Sequence, residues 1–204
     1  MKMMDLSRRG ALALACGGFL ALRAVRASAL STDDAERFVT GVIEDLRKLI
    51  NDGRDGAEGA AEFLALLERK SALDAVGKFA VGRTWREMSP AQRDAYQKAF
   101  RGYISRTYQN RFDEYNGEDI IVSGAVDAGA KGILVKSKLT RASAEPVDLE
   151  WLVTDRSGKP LLSDVVFEGV SLAITLRETF GGMLEKRKGD IDAFTMDLGE
   201  SSGA

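Results

Sequence analysis

Asp164, Glu168, Ser171 and Arg177 are the residues whose types and spacing come closest to chemistry. Asp164 and Glu168 flank the apolar run Val165-Val166-Phe167, and general acid–base work needs a titrating group held in a pocket. The chain has 204 residues and no histidine, so a carboxylate would have to serve, with Asp164 as the base. Strand parity, however, turns Asp164 and Glu168 away from Val165 and Phe167. The plainer expectation is an ion pair or cap, within reach of Arg177, that fixes a strand-to-helix corner. Ser171 has no base partner in sequence and reads as a helix N-cap. Asp190 and Asp192 lie beside Gly189, but two carboxylates do not make a calcium cage. No catalytic residue, metal ligand or cofactor is expected. What remains in residues 164–181, DVVFEGVSLAITLRETFG, is apolar surface.

The elements that must position this segment fall into two halves. Residues 31–116 read as helical. Ser31 caps a helix whose apolar positions (Phe38, Val42, Ile43, Leu46, Leu49, Ile50) recur at three- and four-residue steps. A loop over 51–56 and shorter helices over 58–68 and 72–86 follow. Ser89-Pro90-Ala91-Gln92 is a capping box with proline at N1. The helix it starts runs to about Tyr115 and carries a stripe of Tyr96, Phe100, Tyr103, Ile104, Tyr108, Phe112 and Tyr115.

Residues 118–169 change to period two. Ile133, Val135 and Leu139 alternate with Leu134, Lys136, Lys138 and Thr140; Val147, Leu149, Trp151 and Val153 alternate with Asp148, Glu150, Leu152 and Thr154. Each strand has an apolar and a mostly polar face, as an antiparallel sheet covered on one side requires. Opposite charges on neighbouring polar faces suit cross-strand pairing. A turn over 156–160 leads to a fourth strand, 161–168, with Leu161, Val165 and Phe167 on one face. Gly169 redirects the chain into a helix over 171–187, and a short helix over 191–198 precedes a flexible tail, 199–204. The expected fold is α+β: helices over a curved four-stranded antiparallel sheet, one unit spanning 30–198.

Residues 1–29 have the layout of a secretory signal: a basic start, an apolar run from Ala11 to Leu22 and Ala27-Ser28-Ala29 at the cleavage site. The run is about a dozen residues, short of the roughly twenty that span a bilayer. Ser7-Arg8-Arg9 resembles a twin-arginine (Tat) export signal; Sec export is the alternative. Cys16 as a lipid-modified residue would follow a poor lipobox, Ala13-Leu14-Ala15. Cleavage after Ala29 leaves no cysteine, which suits an oxidising compartment. It also removes five cations and one anion, taking the net charge from −2 to −6. That opposes nucleic-acid binding, which rests on cationic neutralisation of phosphates. It equally opposes tight adsorption to anionic membranes.

Two blocks resemble the MlaC-type phospholipid carriers of Gram-negative periplasms, also called toluene-tolerance proteins. The first, residues 80–117, is AVGRTWREMSPAQRDAYQKAFRGYISRTYQNRFDEYNG. There Gly82, Trp85, Arg86, Ser89, Pro90, Gln92, Arg93, Phe100, Tyr108, Tyr115 and Gly117 carry the match. The second is the segment quoted above, through Asp164, Glu168, Gly169, Val170, Ser171, Leu172, Arg177 and Phe180, with Gly189, Asp192 and Leu198 in the closing helix. Pro160 and Ser163 depart from the aromatic residues usual in the family, and Ala72 from an acidic one.

The resemblance implies an NTF2-like sheet with added helices around a cavity for glycerophospholipid acyl chains. It also implies a monomeric periplasmic shuttle between an outer-membrane lipoprotein–porin complex and an inner-membrane MCE-domain ABC transporter. On that expectation, parity and periodicity nominate the lining: Phe100, Ile104, Tyr108, Val135, Leu149, Trp151, Val153, Val165, Phe167, Ile174 and Phe180. A segment without reactive groups fits such a task. At about 0.8 kcal/mol per CH₂ withdrawn from water, two chains of roughly fifteen carbons represent on the order of 20 kcal/mol. The readings that compete with a carrier are an NTF2-like enzyme on an apolar substrate, with Asp164 as base, and an adaptor with a dry core.

Overall fold

Ser31 caps the first helix, α1 (Thr32–Asn51), its Oγ accepting from the Asp34 N–H at 3.1 Å. The computed structural model describes residues 30–52, 56–112, 118–141 and 144–201; the expected export signal and the end of the expected tail lie outside them. After α2 (Gly56–Lys70), the one helix expected over 72–86 is two, α3 (Leu73–Val81) and the one-turn α4 (Thr84–Glu87). Gly82 makes the break with φ +62°, a conformation that costs glycine little and other residues more. The capping box is closed in both directions: Ser89 Oγ accepts from the Gln92 N–H at 3.2 Å, and Gln92 Oε1 accepts from the Ser89 N–H at 3.0 Å. It launches α5 (Pro90–Phe112); the expected helix end at Tyr115 lies outside the described residues.

The sheet has five strands in the order β1 (Asp119–Asp127), β2 (Ile133–Arg141), β3 (Ala144–Thr154), β4 (Leu161–Phe167) and β5 (Val170–Ser171), all antiparallel. Four were expected. The added β5 has only two residues, too few for a periodic signal. It folds back on β4 through Glu168 and Gly169, whose φ values of +48° and +80° suit a tight hairpin. On the outer face Lys138 pairs with its cross-strand partner Asp148 at 2.5 Å, and Lys136 stands opposite Glu150, as the charge pattern requires.

One inward assignment is corrected. A register shift places Leu162, not Leu161, opposite Val153, and Leu162 is 6% exposed. Val165 and Phe167 keep the expected face, opposite Trp151 and Leu149. The bulge arises from the pairing with β3, so the sequence of β4 alone does not reveal it.

Two further helices, α6 (Leu172–Lys186) and α7 (Ile191–Glu200), complete the chain; α7 takes in the first residues of the expected tail. The interior is two apolar cores. In one, α1 lays Ala35, Val39, Val42 and Ile43 on the sheet residues Ile133, Val135, Leu149, Trp151, Val153 and Leu162. The other is helical and centres on Phe180 of α6, whose ring meets those of Tyr96, Phe100, Tyr103 and Phe194 at centroid distances of 5.3 to 6.4 Å. The aromatic helix α5 therefore packs on α2 and α7, and α1 is the helix that covers the sheet. The helical part is joined to the sheet at the β4 edge, where Ser71 bridges Leu162 and the Ala72 N–H donates to the Leu162 carbonyl at 2.7 Å.

Candidate functional site

The register aligns Val122, Ser137, Leu149, Phe167 and Val170 in one row across all five strands, with Ala125, Val135, Trp151 and Val165 in the row beside it. Directly paired residues share a face of the sheet, and this is the face that α1 covers. Exposure along the first row climbs from 2% at Ser137 through 8% at Leu149 to a half-buried Phe167 and 58% at Val170. An apolar path thus leads from the covered core to the open edge at β5. The one polar group in its buried part is fully engaged. Ser137 Oγ donates to the Leu149 carbonyl at 2.8 Å and accepts from Trp151 Nε1 at 3.0 Å. Such a face offers a ligand contact with hydrocarbon and little else.

The expected lining residues divide between the two cores. Val135, Leu149, Trp151 and Val153 are buried together under α1, with Val165 and Phe167 half-buried at the margin of that core. Phe100, Ile104 and Phe180 are buried in the helical core instead. Ile174 is 51% exposed and lies off the α6 stripe of Ala173, Leu176, Phe180 and Leu184, so its expected inward position is corrected. The Tyr108 side chain lies outside the described residues.

Val170 at the open end of the row and the α1 residues facing the sheet were not among the expected lining. The stripe on α1 was visible, but periodicity does not say which layer a stripe meets. Between the cores stands α2, which packs on α1, α5 and β4. Lys70 at its end pairs with Asp45 of α1 at 3.0 Å and lies 5.9 Å over the Phe38 ring.

The acidic corner has a structural occupation. Asp164 Oδ1 accepts from the backbone N–H groups of Val165 at 2.9 Å and Ala173 at 3.0 Å, and Oδ2 accepts from the Ser171 hydroxyl at 2.5 Å. Ser171 in turn caps α6 by accepting from the Ile174 N–H at 3.1 Å. Arg177, expected near Asp164 and Glu168, donates instead to the Phe79 carbonyl at 3.3 Å and stacks 5.0 Å over the Phe79 ring. Its guanidinium lies against Gly82, where a Cβ would stand 3.3 Å from it. The two sequence blocks meet here, Gly82 from the first and Arg177 from the second. Among the described residues, no cluster of acids, histidines or cysteines is placed to hold a metal, and no helix is long and apolar enough to cross a membrane.

An antiparallel sheet with one apolar face under a helix, and a helical core joined to one edge, is an α+β architecture built around that face. The sequence pattern of the MlaC family, described as "MlaC protein", matches residues 36–200, and the chain belongs to that family. Over 107 residues it is 22% identical to toluene tolerance protein ttg2D of Pseudomonas putida, a match covering 52% of this chain and 50% of the relative. The match therefore spans about half the length of that curated relative. A phospholipid-binding protein of Ralstonia solanacearum, solved in complex with a phospholipid, has a similar fold. The TM-score is 0.67 at 20% identity, over 81% of this chain and 95% of that one.

Proposed function

We propose that this chain is a periplasmic phospholipid carrier, exported as a precursor and cleaved after about Ala29. It holds glycerophospholipid acyl chains along the inner face of the sheet. As a monomer, it moves lipid between an outer-membrane lipoprotein–porin complex and an inner-membrane MCE-domain ABC transporter. The observation that carries this reading is the row Ser137–Leu149–Phe167–Val170, apolar beyond its first member and open at one end. Family membership supports it, as does the phospholipid bound to the structural relative.

In this arrangement the tails lie toward Leu149 and Trp151 and the charged headgroup stays at the β5 edge, where burying a charge is avoided. Cleaving no bond, the protein needs no base, which agrees with the three hydrogen bonds that Asp164 accepts. The test is direct: purify the protein from a periplasm without detergent, extract it with organic solvent and identify lipids by mass spectrometry. The carrier arrives with phospholipid near stoichiometric amounts. Protein that arrives lipid-free, and takes none up from vesicles, refutes the reading.

A further inference from the structure

Trp85 on α4 has two cations over its ring, Lys78 Nζ at 5.3 Å and the Arg93 guanidinium carbon at 5.2 Å from the centroid. These residues, with Pro90, Lys98 and Arg101, line an open depression of about 580 Å³ formed by α3, α4 and α5. It shares no residue with the sheet row and is therefore separate from the proposed acyl site.

The charges in this depression are not balanced internally. Arg101 is committed to Asp74 at 2.5 Å and Glu68 at 3.1 Å. Among the described residues, no carboxylate stands within ion-pair distance of Lys78, Arg93 or Lys98. Arg93 spends its Nε on the Trp85 carbonyl at 3.1 Å, and no hydrogen bond to a described residue engages its two terminal amino groups. Asp94 is the one further acid in the lining. Three cations without a carboxylate partner, against one further carboxylate, make a positive depression on a chain whose net charge is −2.

We propose that this depression binds the phosphate of a phosphate ester. Two lysines supply mobile point charges and the arginine a planar fork, a donor set suited to phosphate oxygens. A carboxylate, with two oxygens, would satisfy fewer of these donors. Trp85 and Pro90 provide an apolar wall for the glycerol or alkyl part of the ester. The same group is available from a soluble glycerophosphate or from a headgroup at a bilayer surface, and the experiment separates the two.

The chain has two tryptophans, and the indole N–H of Trp151 is already bound to Ser137. In a ¹⁵N-labelled sample, sn-glycerol 3-phosphate should displace the Trp85 indole peak saturably and leave the Trp151 peak in place. The doubly substituted Lys78→Gln/Lys98→Gln protein should bind at least tenfold more weakly; both lysines are exposed, so its fold is retained. If only bilayers engage, the protein should float with vesicles containing phosphatidic acid, whose phosphate is an exposed monoester, but not with phosphatidylcholine vesicles, whose phosphate is a diester shielded by choline, and the double variant should lose this flotation. That outcome supports the site and assigns the headgroup as its source. The proposal is overturned if neither probe engages, or if the variant responds like the parent. It is equally overturned if a polyglutamate peptide moves Trp85 while both phosphate probes do not, since the depression then takes an acidic protein segment. Lipid extraction reads the acyl site separately, so failure here leaves that reading standing.

Discussion

Phe167 sits where the inner row changes from buried to open, so a charge there should meet the acyl chain before it disrupts the core. Phe167→Glu is expected to reduce co-purified phospholipid at least fivefold while the thermal midpoint moves by only a few degrees. Val166→Thr, on the opposite face, serves as control and keeps its cargo. Equal lipid content in both variants would remove the inner face from the site.

Asp164 gives the opposite forecast. Asparagine retains one acceptor oxygen but presents an NH₂ to donors that need an acceptor. Asp164→Asn should therefore lose about 1–3 kcal/mol of stability in denaturant unfolding and keep its lipid. Lipid loss at unchanged stability would contradict the corner assignment. At this scale the caps were legible: Ser31, Ser89 with Gln92, and Ser171 act on backbone groups three residues away. Leu162 was not, because its direction depends on a partner strand distant in sequence. Ile174 was not, because the helical repeat that buries Ala173, Leu176, Phe180 and Leu184 turns it outward.

The elements themselves were visible from their periods, whereas their layering was not. The stripe on α5 reads equally well as a wall over the sheet or as a helical core, since an aromatic face does not name its partner. The rings around Phe180 decide for the helical core. Phe180, fully buried among four aromatic rings, should cost about 3–5 kcal/mol when changed to alanine, measured by denaturant unfolding. A loss below about 1 kcal/mol would mean that this cluster is not the centre of that core.

Ser137 and Leu149 are buried in the resting fold, so the proposed acyl site predicts that a helix lifts from the inner face during lipid exchange. The α1–α2 contact is the place to hold it. The one cysteine, Cys16, falls in the expected export signal, so new thiols can be placed cleanly. Asp45→Cys and Lys70→Cys replace a surface ion pair, and a short bis-maleimide across them should slow lipid exchange with vesicles at least tenfold. Undiminished exchange in the bridged protein would exclude an opening at this contact.

For the whole molecule, acid stability draws on solvent-accessible carboxylates and their partners. The Arg187 side chain, hydrogen-bonded to Asp197 at 2.5 and 2.6 Å, holds that carboxyl below its usual range, and the Ser31 hydroxyl does the same for Asp34. A carboxyl with a depressed folded-state pKa contributes its stability above the unfolded value of about 3.9. That stability is lost as pH falls through the lower folded-state value. The thermal midpoint should be level from pH 7 to 5 and decline below about pH 4, and Asp197→Asn should make the decline shallower. Asp34 is exposed and Asp197 is half-buried beside an exposed Arg187, so the effect is modest and weakened by salt. An identical acid limb in Asp197→Asn would show that this pair does not contribute.

On the proposed reading, the acyl chain lies along the sheet's inner face, beside Trp151 and away from Trp85. Phosphatidylcholine carrying a nitroxide near the end of one chain, loaded into ¹⁵N-labelled protein, tests that placement through paramagnetic broadening. The Trp151 indole signal should broaden beyond detection while that of Trp85 survives, and reduction of the nitroxide should restore the lost peak. A loaded protein in which Trp151 stays sharp, or in which Trp85 is the signal that disappears, would place the lipid elsewhere.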